Sequence, residues 1–345
     1  MSIIKALMFQ EVKKAEIVEL PIPKPKKNQI LIKVKRAGIC YSDISAFKGT
    51  HAFRKPPLVS GHEFSGTIFK KGENINSLKI NDRVLVEPHL GCGICTFCRH
   101  GHYNQCTAKK FLGTDGWPGA FSEYVIVEET MVYKMPENMS FDEGAVLEPF
   151  CVGLHAARRA EIEIGNSVAI LGCGTIGLTT LMSVKLSGCN DILVTDISEK
   201  KRKYALKYGA KIIVDPIKEN LEEISKKITN SLGFDVVFVA APSNEVLKQA
   251  FKVCKRLGKI VMIASFPDEV HFDAGQLRIR ERTLIGTSMY TSDDYSIAIK
   301  AWSNGSLDLK SLITQEIDFE NSPEVIRKLA NHELIDDIKT MISFD

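Results

Sequence analysis

The sequence predicts an α/β protein with two domains, the first rich in β-strand and the second a doubly wound parallel sheet. Three observations predict it. The chain has 345 residues, more than one hydrophobic core usually organises. Its first 150 residues read as short strands broken by prolines. From 151 to 286 short apolar runs alternate with longer helical stretches, the rhythm of βαβ units with both sheet faces covered.

In the first part, ILIKVK (30–35), RVLVE (83–87) and SEYVIV (122–127) alternate or run apolar between turn residues, as strands do. Helical periodicity is scarce there, and Pro21, Pro23, Pro25, Pro56 and Pro57 punctuate the loops. The second part runs strand SVAIL, helix TIGLTTLMSVKLSG, strand ILVTD, helix EKKRKYALKYG and strand KIIVD. A helical stretch around 220–231 follows, then strand VVFVA (236–240), helix VLKQAFKVCKRLG (246–258) and strand KIVMIA (259–264). The tail from 287 reads as helical IAIKAWSNG, LITQEI and PEVIRKLAN closed by a strand, TMISF. There is no internal repeat and no low-complexity segment.

Composition excludes several classes of function. Hydrophobic residues make up 44% and charged residues 25%, the balance of an ordinary globular protein. A formal charge of +3, with short lysine clusters at Lys24, Lys26, Lys27 and at Lys200, Lys201, Arg202, argues against a nucleic-acid partner. The N-terminus lacks the features of a secretory signal. The most apolar stretch, VAILGCGTIGLTTLM (168–182), is too short and too broken by glycine to span a bilayer, so no membrane partner is expected. Nine cysteines without a disulfide-scaffold pattern favour a reducing cytoplasm, where thiolates can bind metal.

LGCGTIG places Gly172, Gly174 and Gly177 in GxGxxG spacing directly after SVAIL and at the start of a helix. The first glycine makes a tight turn, the second lets backbone N–H groups approach a pyrophosphate, and the third lets helix and strand pack closely. The positive helix end, at Thr175 and Ile176, then faces the phosphates. Asp196 closes the next strand, where an acid accepts hydrogen bonds from the adenosine ribose. That carboxylate also repels a 2′-phosphate, which favours NAD over NADP. Lys200, Lys201 and Arg202 lie close enough to soften that preference, and Lys201 joins the candidate cofactor-binding residues.

Residues 92–106, CGICTFCRHGHYNQC, space Cys92, Cys95, Cys98 and Cys106 as CxxCxxCx7C. Four thiolates so close can wrap a tetrahedral Zn²⁺ at ~2.3 Å each and leave no open position, which makes such a site structural. An iron–sulfur cluster uses similar spacings and is the rival. His100 and His102 lie inside the loop and read as solvated. GHEFSG (61–66) sets His62 and Glu63 between glycines some twenty positions after Cys40, where a metal site and a hydrogen-bonded turn histidine are both open.

GICYSD (38–43), GHEFSGTIFKKGENI (61–75), the cysteine lobe, LEPFCVGLHA (147–156) and LGCGTIG with Asp196 together resemble, in order and over essentially the whole chain, the zinc-dependent medium-chain dehydrogenases. The likeness is closest to the polyol (sorbitol-type), butanediol and threonine dehydrogenase branch. The resemblance implies a GroES-like β-rich catalytic domain over residues 1–150 and a Rossmann NAD-binding domain over 151–286. A C-terminal segment, 287–345, would complete the catalytic domain, with the active site in the cleft. It further implies two zinc ions per subunit, the structural one in the cysteine lobe and a catalytic one on Cys40, His62 and either Glu63 or Glu148. One thiolate, one imidazole and one carboxylate leave a fourth position open to water or substrate.

Ser42 occupies the family's relay hydroxyl, but Ser45 stands where many relatives have a histidine. Proton release then runs through Ser42 and the ribose to water, or uses His51. His89 matches a histidine near the substrate zinc of threonine dehydrogenases. His155, at a family position in the VGLHA helix, reads as packing, and Cys151, Cys173, Cys189 and Cys254 as small buried hydrophobes. The implied activity is NAD-dependent, reversible oxidation of a secondary alcohol, a small polyol or vicinal diol, by a homotetramer or dimer. The alternatives are a 3-hydroxy amino acid such as threonine as substrate, and a non-catalytic zinc-ribbon binding module. The latter has no use for Cys40, His62, Asp196 and the glycine turn together.

Overall fold

The computed structural model of the protein describes residues 3–114, 116–266 and 269–344. The chain divides into two compact units, one running up to Glu148 and resuming at Thr291, the other Pro149–Tyr290.

The first unit is built on mainly antiparallel strands whose apolar residues meet in one core. Gln29–Gly38 is its axis, because Ile30, Leu31, Ile32 and Val34 are all fully buried and the strand has neighbours on both sides. The larger sheet runs Val132–Lys134, Arg83–Val86, Glu63–Lys71, Gln29–Gly38, Lys339–Ser343, Ile313–Asp318, and Tyr124–Glu128 also pairs with Gln29–Gly38. A smaller sheet joins Lys14–Pro21, Ile3–Glu11 and Leu58–Val59. Phe9, Phe47, Phe64, Phe121 and Ile342 fill the space enclosed.

One register positions the site. Gly38 stands opposite Glu63 on one side and Met341 on the other. A Cβ at Gly38 would meet Glu63 Oε2 at 2.3 Å, so only glycine lets that carboxylate lie across the strand end.

Three local expectations are corrected. LITQEI forms the strand Ile313–Asp318, not a helix. Its β-branched residues find a parallel ladder on Lys339–Ser343, with Ile317 opposite Ile342, and that tertiary partner outweighs a weak helical pattern. The helix expected over 246–258 stops at Val253, and Cys254 opens the strand Cys254–Met262. Arg282 ends it by donating to the carbonyls of Phe251 at 2.7 Å, Lys255 at 3.0 Å and Cys254. Helical structure before residue 150 is less scarce than the periodicity suggests, since Tyr41–Phe47 is helical and Phe141–Arg159 forms a helix of 19 residues.

The second unit is a six-stranded, wholly parallel sheet. Its strands in chain order are Ser167–Leu171, Asp191–Thr195, Ile212–Val214, Phe234–Val239, Cys254–Met262 and Thr283–Gly286, and in space they lie 3-2-1-4-5-6. That order reverses beside the first strand, and ligands of such sheets bind beyond the strands' carboxyl ends at the reversal. LGCGTIG follows the first strand there, and Asp196 follows the second.

Candidate functional site

Cys40 lies two residues beyond Gly38 and caps the helix Tyr41–Phe47, its N–H donating to Asp43 Oδ2 at 2.9 Å. With Glu63 opposite Gly38, the strand pair brings residues from two distant motifs to one point. The ligand atoms of Cys40, His62 and Glu63 lie within 4.8 Å of one another. His62 and Glu63 are buried, and Cys40 is half-buried. A soft thiolate, an imidazole and a carboxylate suit zinc with an open fourth position.

Charged groups surround these three. Asp43 is fully buried and its Oδ1 accepts from Ser60 Oγ at 2.6 Å, Arg54 Nη1 at 3.2 Å and the Gly61 N–H at 3.3 Å. Burial alone would raise its pKa, but the His62 and Arg54 charges and these hydrogen bonds hold it well below the usual carboxylate range. His62 Nδ1 lies 3.4 Å from Asp43 Oδ1 and 3.1 Å from Arg54 Nη1, so Nε2 is the nitrogen left for a metal. Burial and Arg54 push the His62 pKa down, yet Asp43 and a bond to Cys40 outweigh them and bring it up to about 10. A metal ion must displace that proton.

Glu63 is held by Lys339, whose Nζ lies 2.6 Å from Oε2 and donates to the Ile39 carbonyl at 3.0 Å. Lys339 is only 2% exposed. Burial lowers its pKa, but Glu63, Cys40 and Glu148 together raise it. Glu148 is buried and acts on the same lysine, while standing outside the tight group of three.

Ser42 Oγ accepts from Arg54 Nη1 at 3.3 Å. His51 Nδ1 accepts from the N–H groups of Phe53 at 3.4 Å and Arg54 at 3.2 Å. Partial burial, with Arg54 adding to it, brings the His51 pKa down to about 4. The neutral ring therefore carries its proton on Nε2, and its one basic nitrogen is already engaged. Ser45 donates to the Tyr41 carbonyl at 3.1 Å.

The sequence offered no sign of Arg54 or Lys339, single basic residues among 45. Asp43 was visible only as part of GICYSD. A buried role for a lone cation has no local pattern, because its partners come from other strands.

The four cysteines of the lobe also converge, with Cys92, Cys95, Cys98 and Cys106 sulfurs within 4.8 Å of one another. Their own loop solvates them: the Cys95 N–H donates to Cys92 Sγ at 3.4 Å, Cys98 N–H to Cys95 Sγ at 3.5 Å, and Cys92 N–H to Cys106 Sγ at 3.4 Å. The N–H groups of Ile94 and Cys95 bring the Cys92 pKa down to about 6. Burial and the neighbouring sulfurs push the Cys98 thiol the other way, up to about 12; four sulfurs so close, with no fifth ligand needed, fit a closed metal site. His100 and His102 are exposed.

The lobe's two ends pair as His89–Leu90 and Lys110–Phe111, with His89 opposite Phe111. Phe111 contacts the His62 ring at 5.4 Å and carries Arg54 over its face at 4.6 Å. His89 stacks on Phe111 at 6.3 Å and lies 3.4 Å from the buried Glu87. Glu87 accepts from Tyr103 of the lobe and from Tyr133 at 2.8 Å. Burial, against those two donors, pushes its pKa up to about 7.

In the second unit Gly172 adopts φ +107, open to glycine. Gly174 caps the helix Thr175–Leu186, whose first turn is Thr175 and Ile176. A Cβ on Gly174 would meet nothing within 4 Å, whereas one on Gly177 would strike the Gly172 carbonyl at 1.9 Å. The open second glycine leaves room for a pyrophosphate, and the closed third one fixes helix against strand. Asp196 Oδ2 accepts from the Cys173 N–H and Oδ1 from the Ser198 N–H, both at 2.8 Å. Lys201 donates its N–H to Ser198 Oγ at 3.1 Å. Cys151, Cys173, Cys189 and Cys254 are all buried.

A parallel sheet with a dinucleotide turn, joined in one chain to a thiolate–imidazole–carboxylate cluster, defines a metal-dependent dehydrogenase. Residues 26–137 match the alcohol dehydrogenase GroES-like domain, and residues 175–304 match the zinc-binding dehydrogenase family. Sorbitol dehydrogenase of Bacillus subtilis (strain 168) is 32% identical over 329 residues, 94% of this chain and 93% of that one. Among solved structures, 2R,3R-butanediol dehydrogenase from Bacillus subtilis has a TM-score of 0.90 at 30% identity, covering 99% of this chain and 100% of that chain. A Sinorhizobium meliloti 1021 dehydrogenase solved with NADP has a TM-score of 0.92 at 27% identity, with the same coverage. The chain belongs to the zinc-dependent medium-chain alcohol dehydrogenases, in their polyol branch. It is an oxidoreductase acting on CH–OH donors with zinc and a nicotinamide dinucleotide. Among the described residues no helix is long and apolar enough to cross a membrane.

Proposed function

We propose that this enzyme oxidises a polyol or vicinal diol reversibly to the ketone with NAD, using a catalytic zinc on Cys40, His62 and a carboxylate, and a structural zinc on Cys92, Cys95, Cys98 and Cys106. The convergence of Cys40, His62 and Glu63 within 4.8 Å carries the reading. The likeness to sorbitol and butanediol dehydrogenases supports the substrate class.

When bound, zinc supplies a Lewis acid that acidifies a hydroxyl, and the dinucleotide supplies the hydride acceptor. Asp43 orients His62 through Nδ1, which would leave Nε2 to hold the ion. Lys339 neutralises the buried Glu63 carboxylate. Glu63 or Glu148, both acting on that lysine, would supply the carboxylate ligand. Ser42, oriented by Arg54, carries the substrate proton outward, and His51 takes no part because its basic nitrogen is already bonded. Gly172, Gly174, Thr175, Ile176 and Gly177 seat the pyrophosphate. Asp196, with Lys201 beside it, reads the adenosine ribose and disfavours a 2′-phosphate. Assembly as a homotetramer belongs to the same reading and is measured by light scattering.

The test is a turnover screen of polyols, diols and 3-hydroxy amino acids with NAD and NADP, beside zinc quantification. Polyol or diol oxidation with NAD and near two zinc ions per chain is the expected result. Turnover of threonine with none of a polyol or diol would move the enzyme to the threonine dehydrogenase side, where His89, stacked on Phe111 beside His62, becomes the residue to mutate.

A further inference from the structure

Lys200, Lys201 and Arg202 follow the ribose acid in sequence, and the structure gives them different freedom. Lys200 is exposed. Arg202 is only 8% exposed: its Nη1 donates to the Asp196 carbonyl at 2.5 Å, and its Nη2 lies 3.1 Å from Asp215 Oδ2. Asp215 is itself fixed, Oδ1 accepting from the Ile217 N–H at 3.1 Å while its own N–H donates to Glu219 Oε2 at 2.8 Å. Lys218 Nζ also lies 3.8 Å from Oδ2, but it is an exposed side chain.

A guanidinium with both terminal nitrogens engaged by a buried carboxylate and a carbonyl is in a strong, planar arrangement that it leaves only at a cost. Binding a 2′-phosphate requires the opposite, a cation free to turn toward the ribose and no carboxylate already there. Arg202 nonetheless touches the backbone of the residue at the ribose, so a change of rotamer would put its charge in range.

We propose that Asp215 is a specificity-determining residue that pairs with Arg202 and so withholds its guanidinium from a 2′-phosphate. Discrimination against NADP then has two parts, repulsion by Asp196 and sequestration by Asp215. This rests on the NAD preference proposed above and adds a determinant outside the glycine turn and its acid.

The experiment measures NADH and NADPH dissociation constants on the zinc-loaded enzyme by nicotinamide fluorescence, with thermal melts as a folding control. The variants are Asp196→Ala, Asp196→Ala/Asp215→Asn, and that pair with Arg202→Met added. The Asp215→Asn addition should tighten NADPH about tenfold over Asp196→Ala alone, the scale of one charge-assisted contact. Arg202→Met should remove that gain, and NADH affinity should barely change across the last two. Equal NADPH affinity with and without Asp215→Asn, or a gain that survives Arg202→Met, overturns the proposal. If Asp215→Asn does not fold, Arg202→Met in the Asp196→Ala background decides: unchanged NADPH binding is expected of a locked arginine, and a loss shows it already free. A wild type that prefers NADPH overturns the NAD reading instead, while the Arg202 dependence still reports on the lock.

Discussion

Two clusters of side chains in the first unit that could ligate a metal are built in opposite ways. The cysteine lobe draws all four ligands from residues 92–106, offers only sulfur, stays near the surface and supplies its own N–H donors. The Cys40 cluster mixes sulfur, nitrogen and oxygen, is largely buried, and depends on Lys339, 276 positions from Glu63. A closed, homogeneous site needs only a short loop that folds around its ion. A site that must stay open for chemistry needs ligands held from several directions by groups that would otherwise be costly to bury.

The sharpest way to break this contrast is to remove one sulfur from each cluster. Cys40→Ser should bring alcohol oxidation to background while the melting temperature and dinucleotide affinity stay near wild type; retained turnover would take Cys40 out of the ligand set. Cys98→Ser should do the reverse, lowering zinc content and thermal stability before it touches the rate per folded molecule. An unchanged melting point with full zinc content would end the structural reading of the lobe.

Lys339→Met probes the burial that separates the clusters. It leaves Glu63 as an uncompensated buried charge, so denaturant melts of zinc-stripped protein should lose about 3–5 kcal/mol. Zinc should restore part of that loss, since the ion replaces the missing cation. Equal loss with and without zinc would mean that Glu63 never faces the metal.

Glu87 is the strut between the clusters, bonded to Tyr103 of the lobe and 3.4 Å from His89, which stacks on Phe111 beside His62. Its pKa rises from 4.5 to about 7, chiefly through burial. The native state therefore holds a proton that the unfolded chain releases between those values. Its contribution is complete below the unfolded pKa and lost as pH rises through about 7, a change on the order of 3 kcal/mol. Glu87→Gln should flatten that part of the stability profile between pH 5 and 8. Parallel profiles for the two proteins would show that the acid is already ionised in the fold.

The same contrast explains what could be read before folding. CxxCxxCx7C points to an ion because its candidate ligands are neighbours in the chain. LGCGTIG and Asp196 announce a dinucleotide because strand, turn and helix are local, and steric demands on Gly172 and Gly177 are written one residue at a time. For the open cluster, by contrast, Cys40 and His62 were joined only through a family resemblance. LITQEI departs from its helical pattern because its ladder partner, Lys339–Ser343, lies over twenty residues away.

Sequence alone therefore determined the parallel sheet, the glycine turn and the cysteine lobe, since each depends on spacing along one backbone segment. Only the tertiary structure decided that Lys339 neutralises Glu63, that Arg54 and Asp43 stand behind His62, and that Arg202 is tied to Asp215. The physical reason is that burying a charge is favourable only when an opposite charge meets it at hydrogen-bond distance. In this chain those partners are brought together by strand register and sheet order, which no local pattern encodes.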